Sequence, residues 1–235
     1  MVEEPVMTER DKILTRIREA LQVPAAQPGA HDARPATAAA PSSAIGEARR
    51  WLPKVGASFD EQLALFAKNA ADLKANFQLF ASVEELNAAL VQLRVAENWQ
   101  RVASHQAELS SRACTVLDLP VCWTDRGYDV LEMEKCDAGI TECDALIAQT
   151  GSVLVTTRSA GGRALSILPP HHVVIARRTQ LVADLTAAFA LIQQKYAPDY
   201  PSMISFITGP SRTGDIERIL VLGAHGPKKL TIFCL

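Results

Sequence analysis

The feature that most limits what this chain can fold into is a repeated switch between two hydrophobic periods. Ser58-Phe-Asp-Glu61 and Ser82-Val-Glu-Glu85 are capping boxes, in which a serine hydroxyl and a glutamate three residues later serve each other's backbone amides. Each opens a run at helical spacing: Leu63, Phe66, Ala70, Leu73 and Phe77 after the first, Leu86, Leu90 and Leu93 after the second. Beyond Arg101 short β-rich stretches follow at Val102–Ser104, Thr115–Leu117, Val153–Thr157, Val173–Ala176, Met203–Thr208 and Leu230–Leu235, with a helix expected near Leu181–Gln194. Strands alternating with helices predict an α/β domain built on a mainly parallel sheet flanked by helices.

The first part of the chain follows other rules. Thr8 to Leu21 reads as an amphipathic helix, with Thr8 as N-cap and Ile13, Leu14, Ile17 and Leu21 on one stripe. From Val23 to Gly46 the chain is rich in Ala and Pro, including Pro24, Pro28, Pro35 and Pro41, without the periodicity of a packed element. The expected division is therefore a helix in 1–22, a linker in 23–57 and an α/β domain in 58–235. A tethered helix must bury its apolar stripe on its own body, a twin subunit or another protein.

Charge and cysteine content narrow the function. Lys plus Arg number 24 against 26 Asp plus Glu, so no long-range field gathers nucleic acid or an anionic membrane surface, and any anion must be recognised locally. The apolar runs fall far short of the ~18 to 20 residues that span a bilayer, which excludes membrane insertion. Met1–Arg10 mixes acids and bases without the apolar core of a secretory signal, so a cytoplasmic, reducing location is expected. Cys114, Cys122, Cys136, Cys143 and Cys234 are odd in number and scattered, with no Cys-x-x-Cys. That pattern predicts core thiols, and neither a disulfide framework, a bound metal, an iron-sulfur cluster nor another cofactor.

The polar residues that could carry chemistry fall in the second half. Gly209-Pro-Ser-Arg-Thr-Gly-Asp-Ile-Glu217 follows an expected strand and reads as a turn into a short helix near Asp215. There Gly209, Ser211, Arg212, Thr213 and Asp215 would surround an anion with backbone and hydroxyl donors. The spacing from Gly209 to Gly214 resembles a Walker loop, but Asp215 occupies the position of the phosphate-binding lysine, which disfavours ATP. Thr150 and Gly151 precede Arg158-Ser-Ala-Gly-Gly-Arg163, where the glycine pair suits a tight turn bringing strands with Arg158 and Arg163 together. His172 enters an apolar strand and His225 is bracketed by glycines in Gly223-Ala-His-Gly-Pro227. One charged hydrogen bond contributes ~1.5 to 3 kcal/mol and millimolar binding needs about 4, so these clusters must converge to hold a small carboxylate or phosphate.

Taken together, Gly139-Ile-Thr, Ala148-Gln-Thr-Gly-Ser152, Leu168-Pro-Pro-His-His172, Thr208-Gly-Pro-Ser-Arg-Thr-Gly-Asp-Ile-Glu217 and Gly223-Ala-His-Gly-Pro227 resemble the LUD (lactate utilisation) domain family, in its lactate utilisation protein C (LutC) branch. Arg10-Asp-Lys-Ile-Leu-Thr-Arg-Ile-Arg-Glu-Ala-Leu21 is similar to the opening of the same proteins. The resemblance implies a fold akin to the sugar-phosphate isomerase and CoA-transferase group (NagB/RpiA/CoA transferase-like). It also implies work alongside iron-sulfur subunits that oxidise L-lactate to pyruvate. With neither cluster ligands nor a Gly-x-Gly-x-x-Gly loop, the chain reads as a non-redox subunit that binds substrate or assembles its partners. The alternative is a free-standing transferase or ligase-like enzyme on a phosphorylated or CoA-linked metabolite, with Glu142 or Asp215 as carboxylate nucleophile of a transferase.

Overall fold

The computed structural model describes residues 9–22, 52–216, 219–223 and 225–235, in two units divided after Trp51. In the first unit, helix α1 spans Glu9–Gln22, and Ile13 on its stripe is exposed. The Ala/Pro-rich stretch up to Trp51 lies outside the described residues.

The second unit begins with α2 (Phe59–Asp72), where both arms of the expected capping box form: the Glu61 amide donates to Ser58 Oγ and the Ser58 amide donates to Glu61 Oε2 at 3.0 Å. Strand β1 (Asn76–Leu79), α3 (Val83–Glu97), β2 (Val102–Ser104), α4 (Glu108–Leu117), β3 (Val121–Trp123), α5 (Val130–Glu134) and β4 (Ala138–Thr141) follow. The chain continues through β5 (Ala145–Ile147), β6 (Ser152–Thr156), β7 (His171–Ala176), β8 (Leu181–Val182) and α6 (Leu185–Tyr196). It closes with β9 (Ile204–Ile207), β10 (Arg212–Ile216), β11 (Ile219–Leu222) and β12 (Lys229–Cys234).

Six strands form one sheet in the order β1-β12-β7-β4-β2-β3, and every neighbouring pair is parallel. Alternate side chains of its central strands meet different neighbours, as the two-residue period of a strand dictates. Val173, Ile175 and Phe233 pack on α3 and α4 through Leu86, Leu90, Leu109, Ala113 and Leu117. Val174, Ala176, Leu230 and Ile232 pack on a second sheet through Leu146, Ala148, Val153 and Val155. That sheet runs β8-β5-β6-β9, and its far face buries Ala145, Ile147 and Leu154 under Ala188, Ile192 and Tyr196 of α6. A main sheet covered on both faces explains why Val173–Ala176 is apolar without interruption.

The mainly parallel sheet flanked by helices is the architecture expected from the sequence, with local corrections, the first being that the helical run expected to reach Phe77 ends at Asp72, Phe77 lying in β1. Thr115–Leu117 is the last turn of α4 rather than a strand, because Leu109, Ala113, Cys114 and Leu117 share one buried helical face. The helix expected from Leu181 starts at Leu185 instead, where the Asp184 carboxylate accepts the Ala187 amide at 2.8 Å, while Leu181 and Val182 pair with β5. The C-terminal turn of α6 is anchored by Asp144, whose buried Oδ1 accepts Lys195 Nζ at 2.6 Å and the Tyr196 hydroxyl at 2.5 Å. Burial pushes the Asp144 carboxyl up, but hydrogen bonds from Lys195, Ser159 and Tyr196 outweigh it and hold the group below its usual range.

Candidate functional site

A missing side chain on β4 shapes the site. Gly139 lies beside His172 in the sheet, and a β-carbon there would sit 2.2 Å from the Leu165 carbonyl oxygen and 3.1 Å from Pro169 Cγ. Only glycine lets the turn before β7 lie against the sheet, which places Ser166 and Ile167 near His172. From the second sheet, β9 ends at Ile207, and the Thr208 hydroxyl is 2.8 Å from Ser152 Oγ. Gly209 follows at φ +80°, packed so tightly that a β-carbon would stand 2.6 Å from the Leu73 carbonyl oxygen. Ser211 then joins two loops: its amide donates to Pro227 O and its carbonyl accepts the Gly223 amide, both at 2.9 Å.

These segments enclose a cavity of about 210 Å³ lined by Ser166, His172, Thr208, Gly209, Ser211, His225 and Gly226, with Ile167, Ile207 and Leu230 as apolar wall. It is smaller than the roughly 300 to 1,000 Å³ of drug-sized pockets and suits a metabolite of a few heavy atoms. It lies at the amino ends of β7 and β12 and the carboxyl end of β9.

His172 is the most deeply buried polar group lining this cavity. Its Nε2 lies 2.9 Å from Thr141 Oγ1, while its buried Nδ1 has no hydrogen-bond partner. Burial, reinforced by neighbouring His171, lowers its pKa to about 3. The ring is therefore neutral at physiological pH, able to give or take one hydrogen bond at Nδ1 but unable to serve as a cation. Ser166, Thr208 and Ser211 add hydroxyls that can act either way. Three or four neutral hydrogen bonds at roughly 1 kcal/mol each, plus about 0.8 kcal/mol for a buried methyl, correspond to affinity near the millimolar range.

Four of the candidate residues thus meet around one cavity: His172, Gly209, Ser211 and His225. The others are placed differently. Thr150 and Gly151 turn against α2, where Asn69 Nδ2 donates to the carbonyls of Ala148 and Gln149 at 2.9 and 3.0 Å. Arg163 donates to Ser202 O at 2.7 Å, and Arg158 pairs with Asp199. The two arginines belong to an irregular turn between β6 and β7 and not to paired strands, so the expected hairpin is corrected. Arg212 is exposed and donates to Thr208 O at 3.3 Å. The expected convergence of Arg163, Arg212 and His172 does not occur.

The helix expected near Asp215 is also replaced: Arg212–Ile216 is strand β10, paired antiparallel with β11, so no helix dipole points at the 209–211 turn. The backbones of Thr213 and Asp215 lie in β10, and their side chains lie outside what the structure describes.

The carboxyl ends of β2 and β4 hold a second polar cluster. Glu142 Oε1 accepts the amides of Leu109 and Ser110 at 2.7 and 3.2 Å, capping the N-terminus of α4. The Glu142 amide in turn donates to His105 Nε2 at 3.3 Å. Asp125 Oδ2 accepts the Gln106 amide at 2.8 Å, and the Thr124 hydroxyl donates to Gly161 O at 2.7 Å. Glu142, considered above as a nucleophile, is occupied as a helix cap. Sequence reasoning missed Ser166, and the signal that could have found it is Gly139, a glycine inside a fully buried strand.

Fold and cavity define a class: a parallel α/β protein with a metabolite-sized cavity at the amino ends of its central strands. Residues 124–235 match the LUD domain family model. The chain is similar to Lactate utilization protein C of Anoxybacillus flavithermus, 38% identical over 115 residues, covering 48% of this chain and 51% of the relative. The corresponding Bacillus subtilis protein is 36% identical over 108 residues, covering 45% of each. The Deinococcus radiodurans protein is 31% identical over 124 residues, covering 48% of this chain and 58% of the relative. The chain thus spans about half the length of the curated relatives it matches. A crystal structure of a DUF162 family protein from Deinococcus radiodurans aligns with a TM-score of 0.59 at 21% identity, over 76% of this chain and 99% of that one, a likeness of fold. The match to the LUD domain model thus covers the C-terminal part of the chain, residues 124–235, and the relatives that the chain resembles are lactate utilization proteins C.

Proposed function

We propose that this chain serves lactate utilization as a non-redox component that holds a small hydroxy- or keto-carboxylate in the cavity around His172. The observation that carries the reading is the meeting of three sequence-distant loops, at Ser166, Thr208–Ser211 and His225–Pro227, around a buried imidazole with an unpartnered nitrogen. In this reading Ser211 and Thr208 hydrogen-bond the carboxylate, His172 Nδ1 meets the α-oxygen, and Ile167, Ile207 and Leu230 enclose the methyl group. Oxidation itself falls to iron-sulfur partner subunits, and the amphipathic segment 1–22 is the proposed dock for them. Among the described residues no helix is long and apolar enough to cross a membrane.

The test is thermal stabilisation of the full chain by L-lactate and pyruvate, in the wild type and in Ser211→Ala and His172→Gln. A rise in Tm that either substitution removes is the expected result, and Ser211→Ala keeps the test open where His172→Gln unfolds. No stabilisation by any small carboxylate, together with unchanged lactate oxidation in cells lacking the chain, overturns the proposal.

A further inference from the structure

His171 and His172 stand side by side on β7 and face opposite ways. His172 looks toward the second sheet, whereas His171 meets Trp99 edge-on, with ring centroids 5.3 Å apart, on the helical side. Their surroundings nonetheless match. His171 is 4% exposed, its Nε2 lies 2.8 Å from Thr231 Oγ1, and its buried Nδ1 has no partner. Burial lowers its pKa to about 4, so this ring too is neutral. A separate cavity of about 220 Å³ adjoins it, lined by Glu97, Trp99, Asp137, Lys228 and Lys229 together with His171. That volume is several times the ~30 Å³ share of one water, more than is needed to satisfy a single ring nitrogen.

The wall charges indicate what the space would accept. Lys229 Nζ is held by both oxygens of Glu97 at 2.6 and 2.7 Å. Asp137 Oδ2 is engaged by the amides of Gln100 and Arg101 at 2.7 and 3.0 Å. Lys228, whose stem lies over Gly223, is left as the wall cation without a carboxylate partner among the described residues. We infer that the cavity beside His171 is a second ligand site, taking a small monocarboxylate whose charge meets Lys228 and whose other polar atom meets His171 Nδ1. A dianion such as phosphate is disfavoured by the nearby carboxylates of Glu97 and Asp137. This site stands on its own residues and does not depend on the reading of the His172 cavity.

Trp99 supplies a local reporter. In the full chain carrying Trp51→Phe and Trp123→Phe, Trp99 fluorescence is titrated with L-lactate, acetate and inorganic phosphate. A saturable response to the carboxylates and none to phosphate is expected, weakened roughly tenfold or more by Lys228→Ala, as removal of one charge-assisted hydrogen bond implies. His171→Gln should abolish the response, and Ser211→Ala should leave it unchanged. The inference is overturned by a response that does not saturate, that phosphate saturates more tightly than the carboxylates, that Lys228→Ala leaves intact, or that Ser211→Ala removes. Lys228 is exposed, so its substitution tests the site even where His171→Gln prevents folding. Loss of Ser211-dependent stabilisation and loss of the Lys228-dependent signal are separate readings, so failure of either proposal is told apart from failure of the other.

Discussion

The two ends of the main sheet hold similar residue types used in opposite ways. At the carboxyl ends of β2 and β4, Glu142, Asp125, Thr124 and His105 each engage a backbone group of this chain. At the amino ends, His171 and His172 each line a cavity and each have a buried ring nitrogen without a hydrogen-bond partner. Ligands of open α/β sheets usually bind beyond the carboxyl ends of strands. Here those groups hold α4 and its loops in place, and the two unpartnered histidine nitrogens lie at the other end. Position in a sheet therefore suggests where to look, while the hydrogen bonds already made decide what remains for a ligand.

Acid gives the largest expected break in this comparison. His171 and His172 have folded pKa values of about 4 and about 3, below the 6.5 of a solvated histidine. The unfolded chain takes up protons first, so stability is intact above about pH 6.5 and is lost as the pH falls toward 4 and then 3. The loss approaches 1.4 kcal/mol per pH unit for each ring. Urea unfolding midpoints measured from pH 7 to pH 4 should fall steeply, and His171→Gln should flatten the slope; an unchanged slope would mean that the ring is not held neutral.

A smaller effect should come from Gly139→Ala, which forces the turn carrying Ser166 away from β4. Overpacking against a backbone carbonyl should cost up to about 3 kcal/mol in chemical denaturation and weaken any Ser211-dependent ligand response. Glu142→Ala should matter least. Loss of the α4 cap should lower stability by about 1 kcal/mol with ligand affinities unchanged at both cavities. A marked fall in affinity in that variant would return function to the carboxyl ends.

Much of the frame was legible because its signals are local. The Ser58–Glu61 capping box forms in full between residues three apart, and at Ser82 one arm forms, the Glu85 amide donating to Ser82 Oγ at 3.2 Å, while Glu85 Oε2 accepts the Ala81 amide at 2.9 Å instead of that of Ser82. The apolar stretches at Val102, Val153, Val173 and Leu230 became strands because both faces of the main sheet, and of the second behind it, are covered. Thr115 misled because a β-branched residue near a helix end looks the same in one dimension as the start of a strand. Arg163 and Arg212 misled for a related reason: a guanidinium can reach a neighbouring carbonyl as readily as a ligand, and Ser202 O and Thr208 O claimed them.

By itself the sequence determined the helix starts at Ser58 and Ser82, the alternation that makes the main sheet parallel, and the loops around Gly209 and His225 that border the cavity. Which of those loops meet, and whether a polar atom there is already spent, was decided only in three dimensions. The physical reason is that helix caps and strand periods depend on neighbours a few residues away. The openness of His171 and His172 depends instead on Thr231, Thr141 and Gly139, brought in from distant strands by the packing of the sheet.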